Sequence, residues 1–228
     1  MTVVLLHAFP FDSRMWDGVR AIPGLITPDL PGFGRAPLPA AAPDLNVLAE
    51  AVLADLDARG VGRAVIGGCS MGGYVAMAML RKAPERFSGL LFIDTKATAD
   101  TPEAAANRLA VAERAEREGI VPWLADSMLP NLVARPTPRA RELMEEQDPA
   151  AVAWAQRAMA ARPASTFTGD IPALVVHGAE DGLMPVAVAE DLAEAAGGSL
   201  TVLPGVGHLP PLEDPEALLA AVLPWVRR

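Results

Sequence analysis

Short apolar runs recur along the chain: Val3 to Leu6, Leu25 to Thr27, Ala64 to Gly67, Leu90 to Ile93, Ala173 to Val176 and Leu200 to Leu203. They are near-continuous rather than alternating, the pattern of strands covered on both faces. Helical periodicities lie between most of them. Asn46 to Arg59 places Leu48, Val52, Leu53 and Leu56 on one face, and Tyr74 to Lys82, Val186 to Ala196 and Pro215 to Val226 follow the same logic. The last opens with Asp214 as an N-cap and Pro215 at the first helical position. Strands alternating with helices predict an α/β fold: a mostly parallel, doubly wound sheet of about six strands.

Residues 97–169 break this rhythm. They hold no strand signal, only alanine-rich stretches punctuated by proline. The expected helices are Glu103 to Glu118, Pro122 to Met128, Arg139 to Glu146 and Ala150 to Ala161. An insertion after a strand, at the end of the sheet where ligands bind, reads as a compact helical cap over a site. The core is then 1–96 with 170–228. A helical subdomain with no substrate role is the alternative.

Composition narrows the function classes. With 228 residues and 51% hydrophobic residues, the chain can bury one sizeable core. Its net charge is −9 and no basic cluster stands out, which argues against nucleic acid or an anionic membrane surface as partner. A single cysteine excludes an intrachain disulfide framework. No secretory signal pattern and no membrane-length apolar run is visible, so a cytoplasmic protein is expected. Neither a metal nor a cofactor is expected.

The chemistry centres on Gly68-Cys69-Ser70-Met71-Gly72, between an apolar run and a helical pattern. A strand turning sharply into a helix can hold a serine at the tip with its hydroxyl exposed, and needs glycine on either side. A serine hydroxyl is a weak nucleophile at neutral pH. It needs a base within hydrogen-bond reach, and that base needs an orienting acid. Three histidines are available: His7, His177 and His208. The order serine, acid, histidine selects His208, on a glycine-flanked loop after the last strand. Asp181, just beyond the strand ending at Val176, is the favoured acid, and Asp94, ending the strand Leu90 to Ile93, is the runner-up. His7 and His177 are expected to be structural. The backbone N–H groups of Met71 and Phe9 are the expected oxyanion donors.

These residues together resemble the α/β-hydrolase fold superfamily. His7-Ala8-Phe9-Pro10 resembles the oxyanion loop, Asp29-Leu30-Pro31-Gly32-Phe33-Gly34 the Asp-x-Pro-Gly-x-Gly turn, and Gly68 to Gly72 the nucleophile elbow. Gly178-Ala179-Glu180-Asp181 resembles the acid turn, and Gly207-His208 with Glu213-Asp214-Pro215 the histidine loop. The nearest branch is that of small capped esterases, 3-oxoadipate enol-lactonases and cofactor-free perhydrolases. The chain departs from the usual His-Gly at His7-Ala8 and starts at what is normally the third strand, so the first two strands are expected to be missing. The resemblance implies acyl transfer by Ser70, Asp181 and His208 on a small carboxylic ester. Enol-lactonase, thioesterase, perhydrolase or acyltransferase chemistry on the same residues stays open, as does a non-catalytic ligand-binding protein. Trp123, Met128 and Trp154 of the cap, with Phe33 and Leu209 of the core loops, are the candidate substrate-lining residues. Arg108, Arg135 and Arg139 permit an acidic substrate without requiring one. Oligomeric state stays open.

Overall fold

A computed structural model describes residues 1–227. The strands are β1 (Val3–Leu6), β2 (Leu25–Ile26), β3 (Ala64–Cys69), β4 (Phe87–Ile93), β5 (Ala173–Gly178) and β6 (Ser199–Leu203). They form one 6-stranded sheet in the order β2-β1-β3-β4-β5-β6, and every pairing is parallel. All residues of β1, β3 and β5 are buried. Successive side chains point to opposite faces of a strand, so both faces of the sheet are covered, as continuous apolar runs require.

The helices are α1 (Leu45–Ala58), α2 (Met71–Lys82), α3 (Pro102–Glu118), α4 (Trp123–Leu132), α5 (Pro138–Glu145), α6 (Pro149–Ala160), α7 (Val186–Ala195), the single turn α8 (Pro210–Glu213) and α9 (Pro215–Val226). Helix α1 packs on α2, and α2 on β1, β3 and β4. Helix α9 packs on β5 and β6, and on a 3-10 helix at Ser13–Val19 that buries Met15, Trp16 and Val19. Asp214 caps α9 by accepting the Ala217 N–H at 2.9 Å, with Pro215 at the first position.

Helices α3 to α6 occupy the interval expected to be helical. Helix α4 extends past the expected end at Met128, through Pro130 to Leu132. Proline removes one intrahelical donor, yet the turn closes on Val133 N–H to Leu129 O at 3.1 Å and buries Leu132. The two ends of the segment meet. Ser165 N–H donates to Ala97 O at 2.8 Å, and Arg162 grips Asp100 with two nitrogens at 2.8 and 2.9 Å. Arg108 and Lys96 also reach Asp100.

Strand order reverses at β1. From there the chain crosses to β2 on one side and then to β3 on the other, which opens a crevice beyond the C-terminal ends of β1 and β3. The loop after β1 carries Phe9, and the turn after β3 carries Ser70. Among the described residues, no helix is long and apolar enough to cross a membrane.

Candidate active site

Ser70 sits between β3 and α2 with φ 51 and ψ −114. A non-glycine residue in this region is strained and persists only where its surroundings hold it. Its N–H donates to Ile93 O at 3.0 Å, and its carbonyl accepts Thr95 Oγ1 at 2.8 Å. Helix α2 enters very close to β1: a Cβ on Gly72 would lie 2.0 Å from Leu6 O, and one on Gly68 would lie 2.5 Å from the same oxygen. Glycine at both positions is therefore a matter of space. Cys69 lies beneath the turn, fully buried, with its thiol directed at His208 O at 3.5 Å. Burial, then the nearby carboxylates, push that thiol well up, so it stays protonated.

His208 follows β6 on a loop held from three sides. Its own N–H donates to Leu132 O at 2.9 Å. Glu213 Oε1 accepts the N–H groups of Gly207 and Leu209 at 3.1 and 3.2 Å. The imidazole is 1% exposed, and its Nδ1 lies 2.6 Å from Asp181 Oδ2. Its Nε2 is buried with no hydrogen-bond partner among the described residues. Asp181 Oδ1 accepts Leu183 and Met184 N–H at 2.8 and 3.0 Å. Burial alone would raise the Asp181 carboxyl, but the His208 imidazole and these two amides outweigh it and hold Asp181 below the usual range. An ionised Asp181 bonded to Nδ1–H leaves Nε2 bare, the tautomer of a general base.

The other histidines have different partners. His7 Nε2 accepts Leu30 N–H at 2.9 Å, so its Nδ1 carries the hydrogen and donates to Ala8 O at 3.0 Å. It pins the loop after β1 to the loop after β2, where Asp29 accepts Ser13 and Arg35 N–H. His177 Nε2 lies 2.9 Å from Met184 O. Asp94, His177 and Asp181 bring one side-chain nitrogen or oxygen each within 4.8 Å of one another. The N–H groups of Phe9 and Met71 make no hydrogen bond with a described residue.

Among the other singled-out residues, Phe33 packs edge-on against Phe9 (centroids 6.3 Å) and His7 (5.4 Å), and Leu209 is fully buried next to His208. Trp123 and Trp154 both have the indole N–H engaged. Trp123 Nε1 donates to Gly119 O at 2.7 Å under the Arg114 guanidinium. Trp154 Nε1 donates to Ala41 O at 2.9 Å, joining α6 to the core loop before α1. Met128 is half-buried on α4. Arg108, Arg135 and Arg139 each pair with a carboxylate, of Asp100, Asp214 and Glu142 respectively. Glu213 is the residue whose weight was least visible beforehand. It stood out only as part of Glu213-Asp214-Pro215, yet it organises the His208 loop.

A model of the alpha/beta hydrolase family matches residues 3–222. A thermophilic esterase from Thermogutta terrifontis, solved with malate bound, is 36% identical with a TM-score of 0.93, over 100% of this chain and 89% of that one. A pimeloyl-[acyl-carrier protein] methyl ester esterase from Aromatoleum aromaticum is 29% identical over 239 residues, 94% of this chain and 93% of its own length. The dihydrolipoyllysine-residue acetyltransferase component of the acetoin cleaving system of Pseudomonas putida is also 29% identical, over 245 residues and 99% of this chain. The chain spans only 63% of that relative's length.

Proposed function

The chain belongs to the alpha/beta hydrolase family, and from that premise we propose that it is a serine esterase cleaving a small carboxylic ester through an acyl-enzyme. The observation that carries this reading is the buried pair His208–Asp181, with Nε2 bare and the strained Ser70 turn packed against the same loop through Cys69. In the reaction, His208 Nε2 takes the Ser70 hydroxyl proton as Oγ attacks the carbonyl carbon. Phe9 and Met71 N–H groups hold the oxygen that becomes negative, each such donor being worth about 3 kcal/mol of barrier. The imidazolium, stabilised by Asp181, gives its proton to the departing alkoxide, which leaves as the alcohol. Water then attacks the acyl group, its proton passes to Nε2, and the acid departs as Ser70 regains its hydrogen. In the ground state Nε2 has no partner; such bonds commonly tighten only with substrate in place.

Esters rank first because a 36%-identical relative is described as an esterase and a near-full-length one as a methyl ester esterase. Phe33 and Leu209 are proposed to line the acyl side, with Met128, Trp123 and Trp154 bounding it from the cap. The test is hydrolysis of p-nitrophenyl acetate, butyrate and hexanoate beside fluorophosphonate labelling. The label is expected on Ser70, and Ser70→Ala should lose about four orders of magnitude in kcat. A Ser70→Ala variant that keeps most of its activity, or a label on another residue, would sink the reading.

A further inference from the structure

Asp94 ends β4 with no exposed surface, and no step above uses it. Its backbone adopts φ 41, a conformation that a side chain other than glycine's enters only when held there. Oδ1 accepts the Gly178 N–H at 2.9 Å, while Oδ2 is buried without a partner among the described residues. Alongside lies His177, also fully buried, with Nδ1 3.3 Å from Asp94 Oδ1. Met184 O can only accept, so His177 Nε2 bears the hydrogen between them. The neutral ring therefore presents a bare lone pair at Nδ1, an atom with no hydrogen-bond partner.

Asp94 and Asp181 bring an oxygen each within 4.8 Å of one another, and two buried carboxylates at that separation do not both ionise. Asp181 has the means to stay charged: His208 and two amides. Asp94 has a single amide, so the proton falls to it. Burial first, and then the Asp181 charge, push its carboxyl well above the usual range, and burial lowers His177. The titratable groups around Asp94 are Asp181 and His177 from β5 and its loop, His208 from the loop after β6, Glu213 from α8, and Cys69 from β3. None is a permanent cation.

The residues flanking Asp94 give this position its leverage. Ile93 O and Thr95 Oγ1 hold the backbone of Ser70 from either side. Asp94 itself binds the start of the loop that carries Asp181. We propose that Asp94 is a positioning residue: a neutral carboxylic acid whose proton is shared with the bare Nδ1 of His177, so that the cluster keeps one negative charge, on Asp181 facing His208. The strut ties the nucleophile turn to the acid loop without a second charge that would compete for His208. This inference rests on the reading of His208 and Asp181 as base and orienting acid.

Two measurements test it. Infrared difference spectra of wild type minus Asp94→Asn at pH 7 should show a protonated-carboxyl C=O band; no such band overturns the proposal. This readout needs no turnover, so it separates failure of the inference from failure of the esterase reading. In p-nitrophenyl butyrate hydrolysis, Asp94→Leu should lose roughly tenfold to a hundredfold in kcat with little change in KM. Asp94→Asn, a neutral side chain that can donate, should recover most of that loss and leave the acidic limb of kcat/KM where wild type has it. If Asp94 were ionised in wild type, asparagine would remove a negative charge near His208 and that limb would move to lower pH. Such a shift, or wild-type kcat in the leucine variant, overturns the proposal. Should the leucine variant fail to fold, the spectrum and the asparagine pH profile still decide.

Discussion

Glu213 Oε2 accepts the Ala134 N–H at 2.7 Å, and so joins the end of the α4 segment to the loop that carries His208. The other oxygen of the same carboxylate holds the amides on both sides of His208. One side chain thus sets the height of the imidazole and docks the helical segment against it.

Glu213→Ala should therefore cost about 2–3 kcal/mol, because three backbone donors lose their acceptor at once. Urea unfolding measures the loss, and kcat should fall with it. Glu213→Gln, which keeps one carbonyl oxygen as acceptor, should be milder. An alanine variant as stable as wild type would mean that the three amides are satisfied by water.

Gly72→Ala should be among the most damaging single changes in the chain. The new methyl would meet Leu6 O at 2.0 Å and His7 O at 2.9 Å, backbone atoms at the end of β1 and in the loop that follows it. A cost of about 3 kcal/mol or more is expected, with loss of fluorophosphonate labelling in whatever protein remains folded. Gly62→Ala is the control, since nothing lies within 4 Å of its added carbon. Equal melting temperatures for the two variants would refute the close-approach argument.

Acid stability should depend on Asp12. It is 1% exposed and binds Arg14 and Gln147, the latter at 3.0 Å from the helical segment. Burial opposes its charge, but those hydrogen bonds prevail and hold its pKa at about 2, below the ordinary 3.8. A depressed folded-state pKa stabilises the fold above the unfolded value and loses that contribution as pH falls through the folded one. The window is thus pH 4 down to 2, and the contribution is roughly 2 kcal/mol. Asp12→Asn should flatten the stability curve in that window; an unchanged slope there would contradict the assignment.

Asp100→Asn should destabilise by about 3 kcal/mol. The change leaves the buried Arg162 and the half-buried Arg108 without their carboxylate, and an orphaned buried charge costs far more than the pair contributes. Thermal unfolding at pH 7 reads this directly. A double variant Asp100→Asn/Arg162→Met that regains stability would locate the cost in the stranded guanidinium.

The strands were legible because a strand buried on both faces must be apolar throughout, as Val3 to Leu6 and Ala173 to Val176 are. Ser70, Asp181 and His208 stood out because each falls just beyond such a run, where parallel strands deliver side chains to one edge. What stayed hidden depends on contacts between distant segments. Nothing near Trp154 in the chain says that its indole meets Ala41 O, 113 positions away. The pairing of Asp94 with His177 exists only because β4 and β5 lie side by side. Helix α4 outran its expected end since burial of Leu132 outweighed the donor missing at Pro130. The 3-10 helix at Ser13–Val19 was missed because its period is too short for a helical hydrophobic pattern to show.

The bond between Ala97 and Ser165, with the Arg162–Asp100 grip beside it, makes the helical segment a closed loop from the sheet's point of view. Closing such a loop costs only about 0.6 kcal/mol more for each doubling of its length. Strands β4 and β5 therefore keep their register whatever lies between these two anchor points. Changes of length confined to parts of the segment away from these anchors, and away from its own contacts with the core at Leu132, Ala134 and Gln147, should therefore leave Ser70 and Asp181 where the sheet puts them.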